Sequence, residues 1–154
     1  MQPLTSKQSL AWMLFQKGFT PAEIANRLKT TRQYVHQTLK ISEGKISRTL
    51  LETARLNGLD IKAIQPEKGL LLGYNPVLRR KVLITYTAKN GLRIWYWYDK
   101  PDEVKDVRIL SEAREYLINE AEERGMALTA DQKRLHPASL AEHIFATLLP
   151  ELRT

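Results

Sequence analysis

Phe19-Thr20-Pro21-Ala22-Glu23-Ile24-Ala25-Asn26-Arg27-Leu28-Lys29-Thr30-Thr31-Arg32-Gln33-Tyr34-Val35 is the stretch on which the fold of this chain turns. Thr20 followed by Pro21 and Glu23 supplies an N-cap, a proline at the first helical position and a capping-box acid at the third, which together start a helix. Ile24 and Leu28 fall four apart and make the buried stripe of a short helix, while Ala25 lets a neighbouring helix approach closely. That helix is expected to end near Leu28 or Lys29. Thr30 or Thr31 then caps a second helix, with Val35 and Leu39 facing inward.

Toward the N-terminus, Ser6 to Lys17 reads as an amphipathic helix with Leu10, Met13 and Leu14 inward, closed by Gly18. Three helices with a tight turn between the second and third make a helix-turn-helix unit. Gly18 through Ala25 and Thr31 through Gln37 resemble the wingless helix-turn-helix of sigma-factor region 4 and of LuxR-type regulators, and most of all the small archaeal Tfx-type regulators. The resemblance covers residues 5–57, about a third of the chain. It departs from the usual pattern at Lys29, where many members have Gly, and at Thr30 and Thr38, where a branched apolar residue is common.

The resemblance implies that Thr31 to Lys40 is a recognition helix lying in the major groove of double-stranded DNA. Side-chain chemistry agrees. With Val35 and Leu39 inward, the outward face carries Arg32, Gln33, His36, Gln37 and Lys40. Arginine suits the two acceptors of guanine and glutamine the donor–acceptor pair of adenine, so Arg32, Gln33, His36 and Gln37 are the expected base readers. Thr20, Arg27, Lys29, Thr31, Tyr34 and Lys40 are expected at phosphates, which position a protein without reading sequence. Beyond Lys40, Ile41-Ser42-Glu43-Gly44 is less regular, and Ser47 to Asn57 resumes helical periodicity with Ile46, Leu50, Leu51 and Ala54. This fourth helix either pairs with its copy in a second subunit, as the resemblance suggests, or packs on the C-terminal domain.

Residues 80–99 read as a basic, aromatic β-hairpin, two β-branched and aromatic runs flanking Asn90-Gly91. With Asn90-Gly91 as a two-residue loop, Val82, Ile84, Tyr86 and Ala88 share a face with Arg93, Trp95 and Trp97. Leu83, Thr85 and Thr87 share the other with Leu92, Ile94, Tyr96 and Tyr98, and the first face is expected to be the core side. Strands at Asp60 to Gln65 and Leu70 to Tyr74 would widen the sheet. Val104 to Leu110 reads equally as strand or helix start. Helices are expected at 111–124, with Ala113, Leu117 and Ala121 inward, and at 137–149, with Leu140, Ile144 and Leu148 inward. Thr129 with Gln132 caps a short helix between them. Glu112, Glu115, Glu120, Glu122 and Glu123 are expected to form an acidic surface.

The 154 residues carry a net charge of +7, unevenly spread: +6 over 1–58, +5 over 59–100 and −4 over 101–154. A basic front suggests a polyanion partner. The absence of cysteine excludes disulfides, thiolate metal sites and a cysteine nucleophile. His36, His136 and His143 show no metal-ligand spacing, Gly69 and Gly73 bracket a leucine run rather than a phosphate loop, and no serine sits in a nucleophile elbow. The chain is therefore expected to have no enzymatic activity, metal or cofactor. With neither signal peptide nor apolar span, it is expected to be soluble and cytoplasmic.

These observations predict an α+β protein: an N-terminal all-α helix-turn-helix domain (1–58), then a small antiparallel β-sheet domain with C-terminal helices (59–154). The expected function is sequence-specific binding of double-stranded DNA by a transcriptional regulator, as a homodimer, with the second domain meeting a small-molecule effector or a protein of the transcription machinery. Two alternatives use other surfaces. One is an RNA or single-strand binder stacking bases on Tyr96 and Tyr98; the other is an interaction module using the acidic helices.

Overall fold

The computed structural model describes residues 3–97 and 107–153, with the backbone alone at 107–110 and 153. Helices α1 (Ser6–Gln16), α2 (Pro21–Leu28) and α3 (Arg32–Leu56) come first. Strands β1 (Asp60–Gln65), β2 (Leu70–Asn75), β3 (Arg80–Thr87) and β4 (Gly91–Tyr96) then form an antiparallel meander in that order, followed by α4 (Val107–Glu123), α5 (Ala130–Lys133) and α6 (Pro137–Leu148). The class is α+β, as the patterning predicts. Tyr98, Asp99 and residues 104–106 lie outside the described residues.

The sheet is the middle of three layers. On one face, Leu71, Val82, Ile84 and Tyr86 pack against Trp12 of α1 and against Ile46, Leu50 and Ala54 of α3. On the other, Leu70, Leu72 and Leu83 pack against Leu117 and Ala121 of α4 and Leu140, Ile144 and Phe145 of α6. The unbroken apolar runs Leu70-Leu71-Leu72 and Val82-Leu83-Ile84 reflect this burial, since a strand covered on both faces has no polar side to alternate with. The segments 1–58 and 59–154 share the first of these cores.

The hairpin register departs from expectation. Thr87 pairs with Gly91 and Val82 with Tyr96, so the loop is Ala88-Lys89-Asn90 rather than Asn90-Gly91. The Thr87 hydroxyl accepts the Asn90 N–H at 3.1 Å and Gly91 takes φ +71°, the left-handed residue with which three-residue hairpins commonly close. An odd shift of register moves every β4 side chain to the other face. Leu92 and Tyr96 therefore pack with Val82 and Ile84 on the α1/α3 side, while Trp95 and Trp97 join the α4/α6 side. Trp95 lies 6.1 Å from Phe145 between ring centroids and donates its indole N–H to Thr85 Oγ1 at 2.9 Å.

Three helical faces also differ. In α1 the buried residues are Ala11, Trp12 and Leu14; Leu10 is exposed and Met13 half-buried, because α1 is wedged between α2 and the sheet rather than lying on one surface. In α4, Glu120 and Glu123 are buried instead of joining the acidic surface of Glu112, Glu115 and Glu122. Glu120 pairs with Arg124 at 3.1 Å and accepts from Thr85, while the Arg124 guanidinium reaches the carbonyls of Lys68, Gly69 and Tyr86. Gly69 permits this junction, since a Cβ there would stand 2.5 Å from the Tyr86 carbonyl oxygen. At the end of α6 Leu148 is half-buried, and the fully buried leucine is Leu149, the C-cap just beyond the helix. His136 caps α6, its Nδ1 accepting from Ala138 N–H.

Candidate nucleic-acid interface

Helix α2 begins as its sequence dictates. Thr20 Oγ1 accepts the Glu23 N–H at 3.2 Å and Glu23 Oε1 accepts the Thr20 N–H at 3.1 Å, closing the capping box. The Thr20 N–H, then the Thr20 hydroxyl, hold the Glu23 carboxyl below its usual range. Lys29 ends the helix in the left-handed conformation, φ 53° and ψ 48°, the geometry that glycine adopts without strain. Thr31, not Thr30, caps the next helix: its Oγ1 accepts the Tyr34 N–H at 3.0 Å. Ile24, Ala25 and Val35 lock the two helices onto Ala11 and Leu14 of α1, with Phe19, Leu28 and Leu39 at the margin.

The expected break after Lys40 is absent. Helix α3 runs unbroken for 25 residues, from Arg32 to Leu56, absorbing Gly44 in its exposed face. Its buried stripe is Val35, Thr38, Ser42, Ile46, Leu50 and Ala54, a spacing of three or four throughout, so Leu39 is half-buried and Leu51 exposed. Ser42, one of the two polar members of the stripe, is satisfied within the helix, its Oγ donating to the Thr38 carbonyl at 2.7 Å. Periodicity missed this continuity because threonine and serine, at 38 and 42, are residue types usually found on the surface. The fourth helix is thus the second half of the third, and it lies on the sheet.

All ten expected contact residues are exposed: Arg32, Gln33, His36 and Gln37, and Thr20, Arg27, Lys29, Thr31, Tyr34 and Lys40. They sit on α2, the turn and the first turns of α3. Two are shaped by neighbours. The Arg27 guanidinium stacks 4.2 Å above the Phe19 ring, and Tyr34, 41 % exposed, lines a shallow groove with Gln37 and Ile41 of α3 and Thr5 to Gln8 of α1. Lys45 Nζ donates to Gln8 Oε1 at 2.9 Å at the α1–α3 contact. Lys7, exposed in this groove, adds a cation that no sequence signal placed there, because α1 and α3 meet only in the fold.

The aromatic hairpin makes a different surface. Tyr96 is half-buried against the α1/α3 core, and Trp95 and Trp97 are half-buried on the other face. Among the described residues, no cluster of three or more histidines and carboxylates is placed to hold a metal, and no helix is long and apolar enough to cross a membrane. Comparison with protein families, characterised proteins and solved structures finds no significant match.

Proposed function

We propose that this protein binds double-stranded DNA sequence-specifically and acts as a transcriptional regulator, with the first turns of α3 in the major groove. One observation carries the reading. A capped, tightly turned helix pair buries one stripe and leaves all ten candidate contact residues exposed, including four suited to base edges. Arg32, Gln33, His36 and Gln37 are the base readers; Thr20, Arg27, Lys29, Thr31, Tyr34 and Lys40 meet phosphates. The functional unit is a homodimer on two half-sites about one helical turn apart.

Selection from a randomised duplex library, followed by sequencing, tests this. The wild type is expected to enrich a two-fold-related motif that the Arg32→Ala/Gln37→Ala protein loses. Enrichment of no motif, with only a steep loss of affinity in salt, would reduce the interaction to non-specific polyanion binding.

A further inference from the structure

The sheet has two edges, and they are built differently. β1 forms one and β4 the other. On β1 the register slips between Ile61 and Ala63, which makes Lys62 an extra residue, and Asp60 and Lys62 stand exposed on either side of Ile61. Bulges and charges of this kind keep an edge strand from pairing with another chain. β4 lacks both defences. It pairs with β3 without a slip from Gly91 to Tyr96, and its one charged residue, Arg93, is folded over the Tyr116 ring at 4.2 Å. The β4 backbone also shows which groups face outward. The Trp97 N–H donates to the Lys81 carbonyl at 2.9 Å, so the hydrogen-bonded pairs with β3 fall on Trp97, Trp95 and Arg93. By the same alternation the N–H and C=O groups of Leu92, Ile94 and Tyr96 point away from β3, and they have no partner among the described residues. Ile94, 38 % exposed, stands in the middle of this row.

An added strand satisfies such a row, and β4 of a second copy fits it. Antiparallel pairing about a two-fold axis at Ile94 sets Ile94 against its own copy and Leu92 against Tyr96, all at hydrogen-bonding positions. Arg93 then falls opposite Trp95 at a non-hydrogen-bonded position, where side chains approach most closely. There the face of the guanidinium turned away from Tyr116 meets the half-buried indole, a cation against a ring. Other registers are poorer. An axis at Arg93 would set that charge against itself, and an axis at Trp95 would carry Leu92 past the end of the partner strand.

We propose that β4 is a dimer interface, at which two copies of this chain join edge to edge, about Ile94, into one continuous antiparallel sheet. Residues directly opposite each other share a face of the sheet, so α1 and α3 of both copies lie on the same side of the joined sheet. The interface supplies the second subunit of the DNA-binding reading and rests on that reading for its role. It is tested without DNA, so its failure would leave base reading by α3 to be judged by the duplex selection alone.

The test is sedimentation velocity of the full chain over a dilution series. The wild type is expected to show a monomer–dimer equilibrium. Ile94→Lys sets two ammonium groups together at the axis and is expected to raise the dimer Kd about tenfold or more. Ile61→Lys, at an exposed position of the other edge, is expected to leave it unchanged. Because the chain has no cysteine, single-cysteine variants read the register directly, whatever the effect of the lysine on folding. Ile94→Cys is expected to form a disulfide-linked dimer under mild oxidation much faster than Lys62→Cys, since directly opposed residues lie within disulfide reach. Three results overturn the proposal: a wild type that stays monomeric at every concentration; a dimer whose Kd is the same in Ile94→Lys; or cross-linking of Lys62→Cys as fast as that of Ile94→Cys.

Discussion

The two halves of α3 belong to one unbroken helix and face different surroundings. From Arg32 to Lys40 the helix presents arginine, glutamine, histidine and lysine to solvent and touches the rest of the protein mainly through Val35 and Thr38. From Ser42 to Leu56 it is clamped on the sheet by Ile46, Leu50 and Ala54, all fully buried. The first half is free to make contacts and the second to hold the helix in place. The difference teaches that the exposed face proposed to read DNA contributes little to stability, while the anchoring half supplies it.

The largest expected effect tests the anchoring half. Leu50→Ala opens a cavity between α3 and the sheet and should cost about 2–5 kcal/mol of unfolding free energy in denaturant titration. Base discrimination by the protein that remains folded should be unchanged. In the reading half the pattern reverses: Arg32→Ala should shift stability by less than about 0.5 kcal/mol. Its discrimination between the preferred base pair and its alternatives should fall by about 1–3 kcal/mol in competition binding. A large stability loss from Arg32→Ala, or lost discrimination from Leu50→Ala, would break the comparison.

Smaller effects sharpen it. Thr31→Ala removes the cap that orders the first turn of the reading half, and should cost about 1 kcal/mol, with faster amide exchange confined to residues near Arg32 to Val35. Gly44→Ala probes the junction. A Cβ at Gly44 meets nothing within 4 Å, so in a continuous helix it should raise stability by about 0.5–1 kcal/mol. A break at this point would remove that gain.

The capped helix starts and the strand positions were legible in the sequence, because caps and turns act locally: Thr20-Pro21-Glu23 and Thr129-Gln132 each close the box their spacing requires, whereas α4 begins at Val107, four residues before the expected Ser111. The hairpin register was not. Asn90-Gly91 is a strong two-residue turn signal, but the Thr87 hydroxyl and Gly91 favour a three-residue loop, and the choice is settled by helices on both faces of the sheet. Glu120 and Glu123 misled for a similar reason. Arg124 lies only four residues beyond Glu120, but Thr85 on β3 and Lys89 in the β3–β4 loop are brought to Glu120 and Glu123 by the fold alone. Of the candidate interface, the residue types and the helix pair were readable; Lys7 and the length of α3 were not.

The absence of a joint in α3 turns residue count into a fixed phase. Val35, which sets the roll of the half that carries Arg32 and Gln37, and Ile46, which seats the other half on the sheet, are eleven positions apart. Eleven residues are close to three full turns at about 3.6 residues each. One residue inserted or deleted between them would turn Arg32 and Gln37 about 100° around the axis relative to the sheet. Point substitutions along the exposed face of this segment are therefore tolerable in kind, whereas a change of length is not. A working variant of this protein with a different number of residues between the two anchors would need a second change elsewhere to restore the roll.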